Sequence, residues 1–157
     1  MSNKKDTTNI TFTIGQRQSK PEVAILLPVT TWVAYNQWGS KSLYVNGMDS
    51  SKVYHVSTQR PMTSLNYGRK RERHSVHVQA NILNWFQKRY QTTVLPDYSL
   101  ETMPQSLRKA DVIVLAYHCE YFSKAMYNNL EAQIYHNNTS LISLGGKLRD
   151  GFANSGL

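Results

Sequence analysis

One cysteine in 157 residues cannot close an internal disulfide, so nothing in the chain relies on an oxidising compartment. Long apolar runs are missing too. A membrane-spanning helix needs roughly 20 consecutive apolar residues, and the longest runs here are far shorter. The polar start MSNKKDTTNITFTIGQRQSK has no continuous apolar centre of the kind a signal peptide requires. The expectation is a soluble, cytoplasmic protein. Acidic residues are scarce: 10 Asp and Glu face 18 Lys and Arg, a formal charge of +8. That balance favours anionic partners or serves solubility, and does not choose between them. Glycine and proline are not dense enough for a low-complexity or fibrous chain, and no internal repeat is present.

What remains is a chain sized for one domain. Residues 1–20 carry few large apolar side chains and are expected to form a flexible arm or linker, with a single α/β domain over 21–157. VAILLP, at 23–28, has the composition of a strand buried on both faces. The following TTWVAYNQWGSKSLYVNG shows no sustained period and reads as a long aromatic loop, while KVYHVST at 52–58 alternates imperfectly and suggests an edge strand. Between Ser75 and Tyr90 the apolar positions Val78, Ile82, Trp85, Phe86 and Tyr90 recur at steps of three and four, which predicts an amphipathic helix. TTVL at 92–95, DVIVLAY at 111–117 and SLISLGG at 140–146 are further strand candidates, and Leu107 sits on a helical turn. Ser123 is placed to cap a helix towards His136 with Met126, Leu130 and Ile134 facing inward. Strand, helix, strand, helix, strand is the order of a mostly parallel sheet flanked by helices.

In such sheets ligands bind outside the carboxyl ends of strands, and IVLAYHCEYFS puts His118, Cys119 and Glu120 at such an end. Three readings compete. In the bland one Tyr121 and Phe122 are core, Glu120 is a solvated first-turn carboxylate and His118 is merely hydrogen-bonded. In the second Cys119 is a thiol activated by a helix amino end and His118, although neighbours on an extended chain point to opposite faces. In the third His118 and Glu120, two apart and on one side, face a metal pocket completed by nearby loops.

The pieces VAILLPVTTWVAYNQWGSKSLY, VSTQRPM, ILNWFQKRYQTTVLPDYSLE, DVIVLAYHCEYFS and SLISLGGK, in that order over residues 22–147, resemble the carboxyl-terminal domain of the N,N-dimethylformamidase large (beta) subunit family. The resemblance implies a fold like that of class I glutamine amidotransferases, a variant of the flavodoxin-like layer. It also implies iron-dependent hydrolysis of the carbon–nitrogen bond of a small amide, with one iron held by two tyrosines and a glutamate. Carried onto this chain, the ligands are Tyr35, Tyr44 and Glu120, with His118 and Glu120 as catalytic groups in the same pocket. The implied partners are a small amide substrate and either a homo-oligomer or a small partner subunit.

Several positions depart from the family pattern. Cys119 stands where relatives carry Asp or Pro, and no cysteine occupies the tight turn that amidotransferases use for glutamine hydrolysis. Lys147 follows the paired glycines where relatives carry Asn. The family's domain continues past this strand, so the resemblance implies a domain incomplete at its C-terminal end: three ligands survive such an ending, and acid–base help from beyond it does not. An alternative is a non-catalytic assembly or binding domain on the same scaffold. RKRER at 69–73 invites phosphate contacts, but no recognisable nucleic-acid module surrounds it, and the expectation is a solvated loop.

Overall fold

The computed structural model describes residues 21–44, 53–61 and 76–145. The amino-terminal arm, the basic run at 69–73 and Lys147 lie outside these. The described residues divide into two compact units, one holding 32–44 with 53–61 and the other 21–31 with 76–145.

The larger unit is an α/β layer. Strands β1 (Val23–Leu27), β2 (Thr92–Pro96), β3 (Val112–Leu115) and β4 (Ser140–Ser143) form one sheet in the order β2-β1-β3-β4. Every pairing is parallel, with Val23 opposite both Thr92 and Val112, and Val112 opposite Ser140. All five residues of β1 are buried, as a run of branched apolar side chains in a central parallel strand requires. Ala24, Leu26, Leu95, Ile113 and Leu115 point one way, into a core shared with Leu100, Leu107, Met126 and Leu130. Those partners come from the short helix α3 (Ser99–Thr102), the 3-10 turn Pro104–Leu107 and helix α4 (Lys124–His136). Helix α2 (Val76–Gln87) contacts β1. No helix among the described residues is long and apolar enough to cross a membrane.

Helix α4 begins where the sequence expects. Ser123 is its extended N-cap, and Ser123 Oγ accepts from the Met126 N–H at 3.1 Å while donating to Glu101 Oε2 at 2.6 Å. One hydroxyl therefore satisfies an orphan helix donor and ties α4 to α3. Ser123→Ala is expected to cost about 1 kcal/mol, the usual value of an N-cap, read as a shift in the urea midpoint at unchanged slope.

Three local expectations need correction. Residues 29–35 are helical, forming α1 (Val29–Tyr35), and only beyond it does the aromatic segment become irregular, with a 3-10 turn at Trp38–Ser40. The segment 53–57 is irregular rather than an edge strand. Helix α2 does form, but its buried side differs: Gln79 and Phe86 are buried, whereas Val78, Trp85 and Tyr90 are largely exposed. A stripe at 79, 82 and 86 is as helical in spacing as the one the apolar pattern suggested. Trp85 instead packs edge-on against Phe86 at 4.8 Å, and the Arg89 guanidinium lies over its ring at 4.6 Å.

Candidate functional site

The sheet order reverses between β1 and β3: from β1 the chain goes out to β2, returns past β1 to β3, and continues to β4. In sheets of this kind ligands bind at such a reversal, outside the carboxyl ends of the two strands. In the larger unit the chain leaves these strands through the first turn of α1 and the segment after β3. They are laced together. Ala116 N–H donates to the Leu26 carbonyl at 3.0 Å, Glu120 N–H donates to Thr31 Oγ at 2.9 Å, and the Thr30 hydroxyl lies 2.8 Å from the Tyr121 carbonyl.

His118 and Glu120 are brought together here, with His118 Nε2 3.1 Å from Glu120 Oε2 and both side chains partly exposed. The two-residue spacing puts both on one side of an extended segment. Two backbone features hold that segment in place. Tyr117 adopts φ +81°, a left-handed conformation that costs a non-glycine residue of order 1–3 kcal/mol. Gly145, just past β4, lies so close that a Cβ would stand 2.4 Å from the Tyr117 carbonyl carbon and 2.7 Å from the His118 nitrogen. The first of the paired glycines is therefore a packing requirement of the His118 turn.

Cys119 is a buried free thiol, and burial pushes its pKa up. A thiol so shielded from water and raised is no nucleophile. Asp97 itself is the residue that reading the sequence missed. It directly follows β2 at the sheet's carboxyl edge, fully buried, and burial pushes its carboxyl up to about 7 despite hydrogen bonds from Thr30 and Tyr98 that favour the ion. The signal that could have found it is its position at the carboxyl end of a buried strand, in LPDYS.

In the smaller unit Tyr35, at the end of α1, and Tyr44 stack with ring centroids 4.3 Å apart and planes 21° from parallel. The segment between them is fastened by Arg60. Its Nε donates to the Ser57 carbonyl at 3.2 Å, and its two terminal nitrogens donate to the carbonyls of Trp38, Lys41, Val33 and Asn36 at 3.2, 2.7, 3.3 and 3.2 Å. All donors of the guanidinium are thus used, on a set that includes the orphan carbonyls at the end of α1. Buried Asn36 adds a bond to the Pro61 carbonyl at 2.9 Å, and Leu43 N–H donates to the Ala34 carbonyl at 3.0 Å. This is the physical link between VSTQRPM and the tyrosine-bearing segment.

The structure therefore pairs His118 with Glu120 in one unit and Tyr35 with Tyr44 in the other. Among the described residues no three His, Cys, Asp or Glu side chains gather as a metal site. Any metal bound by the described residues has to draw on other donors, and phenol oxygens are the hard, anionic kind that suits ferric iron beside a carboxylate. On donor chemistry the set fits. A family model described as N,N-dimethylformamidase beta subunit-like, C-terminal, matches residues 1–147. No curated protein matches the chain.

Proposed function

We propose, from the premise that this chain belongs to the N,N-dimethylformamidase beta subunit-like, C-terminal family, that it hydrolyses the carbon–nitrogen bond of a small amide with iron held by Tyr35, Tyr44 and Glu120. The observation that carries the reading is the His118–Glu120 pair, 3.1 Å apart where the chain leaves β3 at the reversal of the sheet. Iron held by these residues would supply a Lewis acid for an amide carbonyl and lower the pKa of bound water. The remaining work falls to the chain. His118 holds one carboxylate oxygen of Glu120 and so fixes the direction in which the other is presented. An imidazole beside a carboxylate can also take up a proton and return it to the departing amine. Tyr35 and Tyr44 contribute phenolates, whose negative charge matches a trivalent ion.

The test is release of amine from a panel of small formamides by iron-loaded protein. Glu120→Gln should lower turnover by two orders of magnitude or more, because it removes a ligand charge, and His118→Gln should lower turnover with a smaller effect on iron content. Equal turnover in Glu120→Gln and the parent would overturn the assignment.

A second reading, an assembly domain, is favoured by one specific feature: β4 ends the described sheet with Ile142 and Leu144 exposed. The family's beta-subunit description fits a larger assembly with a partner subunit or further copies. A chain that forms that assembly yet takes up no iron would put this reading first.

A further inference from the structure

The hydroxyl of Thr30 faces two acceptors. It is hydrogen-bonded to Asp97 Oδ2, and it stands 2.8 Å from the Tyr121 carbonyl. A threonine hydroxyl has one hydrogen to give. Thr30 N–H is shared between Asp97 Oδ1 at 3.1 Å and Oδ2 at 3.3 Å, and Oδ1 also accepts from Tyr98 N–H at 2.9 Å. If Asp97 were ionised, the hydroxyl could serve Oδ2 or the Tyr121 carbonyl but not both. One oxygen would then face another in a buried site with no proton between them, an arrangement that is costly at low dielectric. A proton on Oδ2 removes the conflict, because Oδ2–H donates to Thr30 Oγ and Thr30 Oγ–H donates onward to Tyr121.

We propose that Asp97 is a positioning residue held as the neutral acid, its Oδ2 proton freeing the Thr30 hydroxyl to hold the Tyr121 carbonyl and so fix the segment that carries His118 and Glu120. Asp97 acts through Thr30. Hydrogen bonds from Thr30 and Tyr98 compensate its burial only in part. Helix α1 presents the Thr30 hydroxyl and N–H but no charge, β1 presents the Leu27 carbonyl, which accepts from Asp97 N–H, and α3 presents Tyr98 and an exposed Glu101 engaged with Ser123. The segment after β3 presents the buried Cys119 thiol and the His118–Glu120 pair. Burial of Asp97, which raises its carboxyl to about 7, agrees with the proton count. The Asp97 proton does not depend on the amide-hydrolase reading. Only its consequence, the placing of His118 and Glu120, rests on that reading.

The experiment uses the whole chain without added metal, so a failure of the iron assignment leaves it interpretable. Infrared difference spectra between the parent and Asp97→Asn should show the carbonyl stretch of a protonated buried carboxyl at about pH 6, fading as pH rises through about 7. Exchange of the Glu120 amide hydrogen, which is bonded to Thr31 Oγ, should quicken over the same range by up to about tenfold beyond its chemical trend. Asparagine, a neutral donor of the same shape, should abolish that extra rise. Thr30→Ser should retain it, and Thr30→Val should lose it. The stability difference between parent and Asp97→Asn follows from linkage. A carboxyl whose folded pKa is raised adds stability that is fully present below its unfolded value and is lost as pH rises to about 7. Absence of the protonated carbonyl band, or a stability difference that grows in the parent's favour as pH rises, would overturn the proposal.

Discussion

Gly145→Ala should unfold at markedly lower denaturant than the parent and should lose the His118–Glu120 pairing. The added methyl would stand 2.4 Å from the Tyr117 carbonyl carbon, 2.6 Å from its oxygen and 2.7 Å from the His118 nitrogen. All three are backbone atoms, so no side chain can rotate away. Either β4 separates from β3, where Leu144 N–H donates to the Leu115 carbonyl at 3.2 Å, or the Tyr117–His118 peptide moves. The second route disturbs a left-handed residue already under strain. Overpacking of this kind costs about 1–3 kcal/mol and sometimes more. Gly39→Ala is the matched control. Its φ is +67°, but nothing lies within 4 Å of the added carbon, so it should cost only the backbone penalty, about 1 kcal/mol. Denaturant unfolding of both variants, with His118 resonances followed by NMR, separates the cases. Equal costs, with His118 unmoved in both, would remove Gly145 from the account of the site.

Arg60→Ala should release the segment between Tyr35 and Tyr44. Five donors disappear at once, leaving the carbonyls of Val33, Asn36, Trp38, Lys41 and Ser57 to water. Burial lowers the Arg60 pKa without displacing its charge, because guanidinium is never deprotonated at ordinary pH. Much of the side chain is solvated, so the cost should be nearer about 2 kcal/mol of local opening than the sum of five buried bonds. Faster amide exchange over 34–43 and a weaker near-ultraviolet signal from the Tyr35–Tyr44 stack would report it. Lysine should not rescue, since three donors on one nitrogen cannot span carbonyls arranged for a planar fork. Parent-like exchange in Arg60→Ala would mean that the segment holds itself.

The helix α1 explains where reading the sequence failed. VTTWVAY is built from β-branched and aromatic residues with modest helix propensity, and it carries neither an acidic first turn nor a basic last one. Its ends are satisfied from far along the chain: Asp97 accepts from Thr30 N–H at one end, and Arg60 donates to the Val33 and Asn36 carbonyls at the other. No local signal can reveal caps 67 and 24 residues away. Strands β1 and β3 are legible because burial on both faces leaves a continuous apolar run, β2 because its Thr, Thr and Val are β-branched, and α4 because Ser123 caps it locally. At the site, the two-residue spacing of His118 and Glu120 was enough to anticipate their pairing. Asp97 was not, because a carboxylate in a loop reads as solvated until the fold buries it. The inward face of α2 was misassigned because Gln79 offers no hydrophobic signal, while Trp85 offers a strong one that Arg89 covers from outside.

The proposal that two phenol oxygens and the Glu120 carboxylate hold iron is decided by iron per chain together with the visible spectrum of the ferric protein. Close to one iron per chain and a tyrosinate-to-iron absorption band are expected. That band should weaken in Tyr35→Phe and in Tyr44→Phe, and the iron should be lost in Glu120→Ala, each variant remaining folded. A folded parent that takes up no iron from a ferric solution, or that binds it with a spectrum indifferent to all three substitutions, would rule out Tyr35, Tyr44 and Glu120 as its ligands.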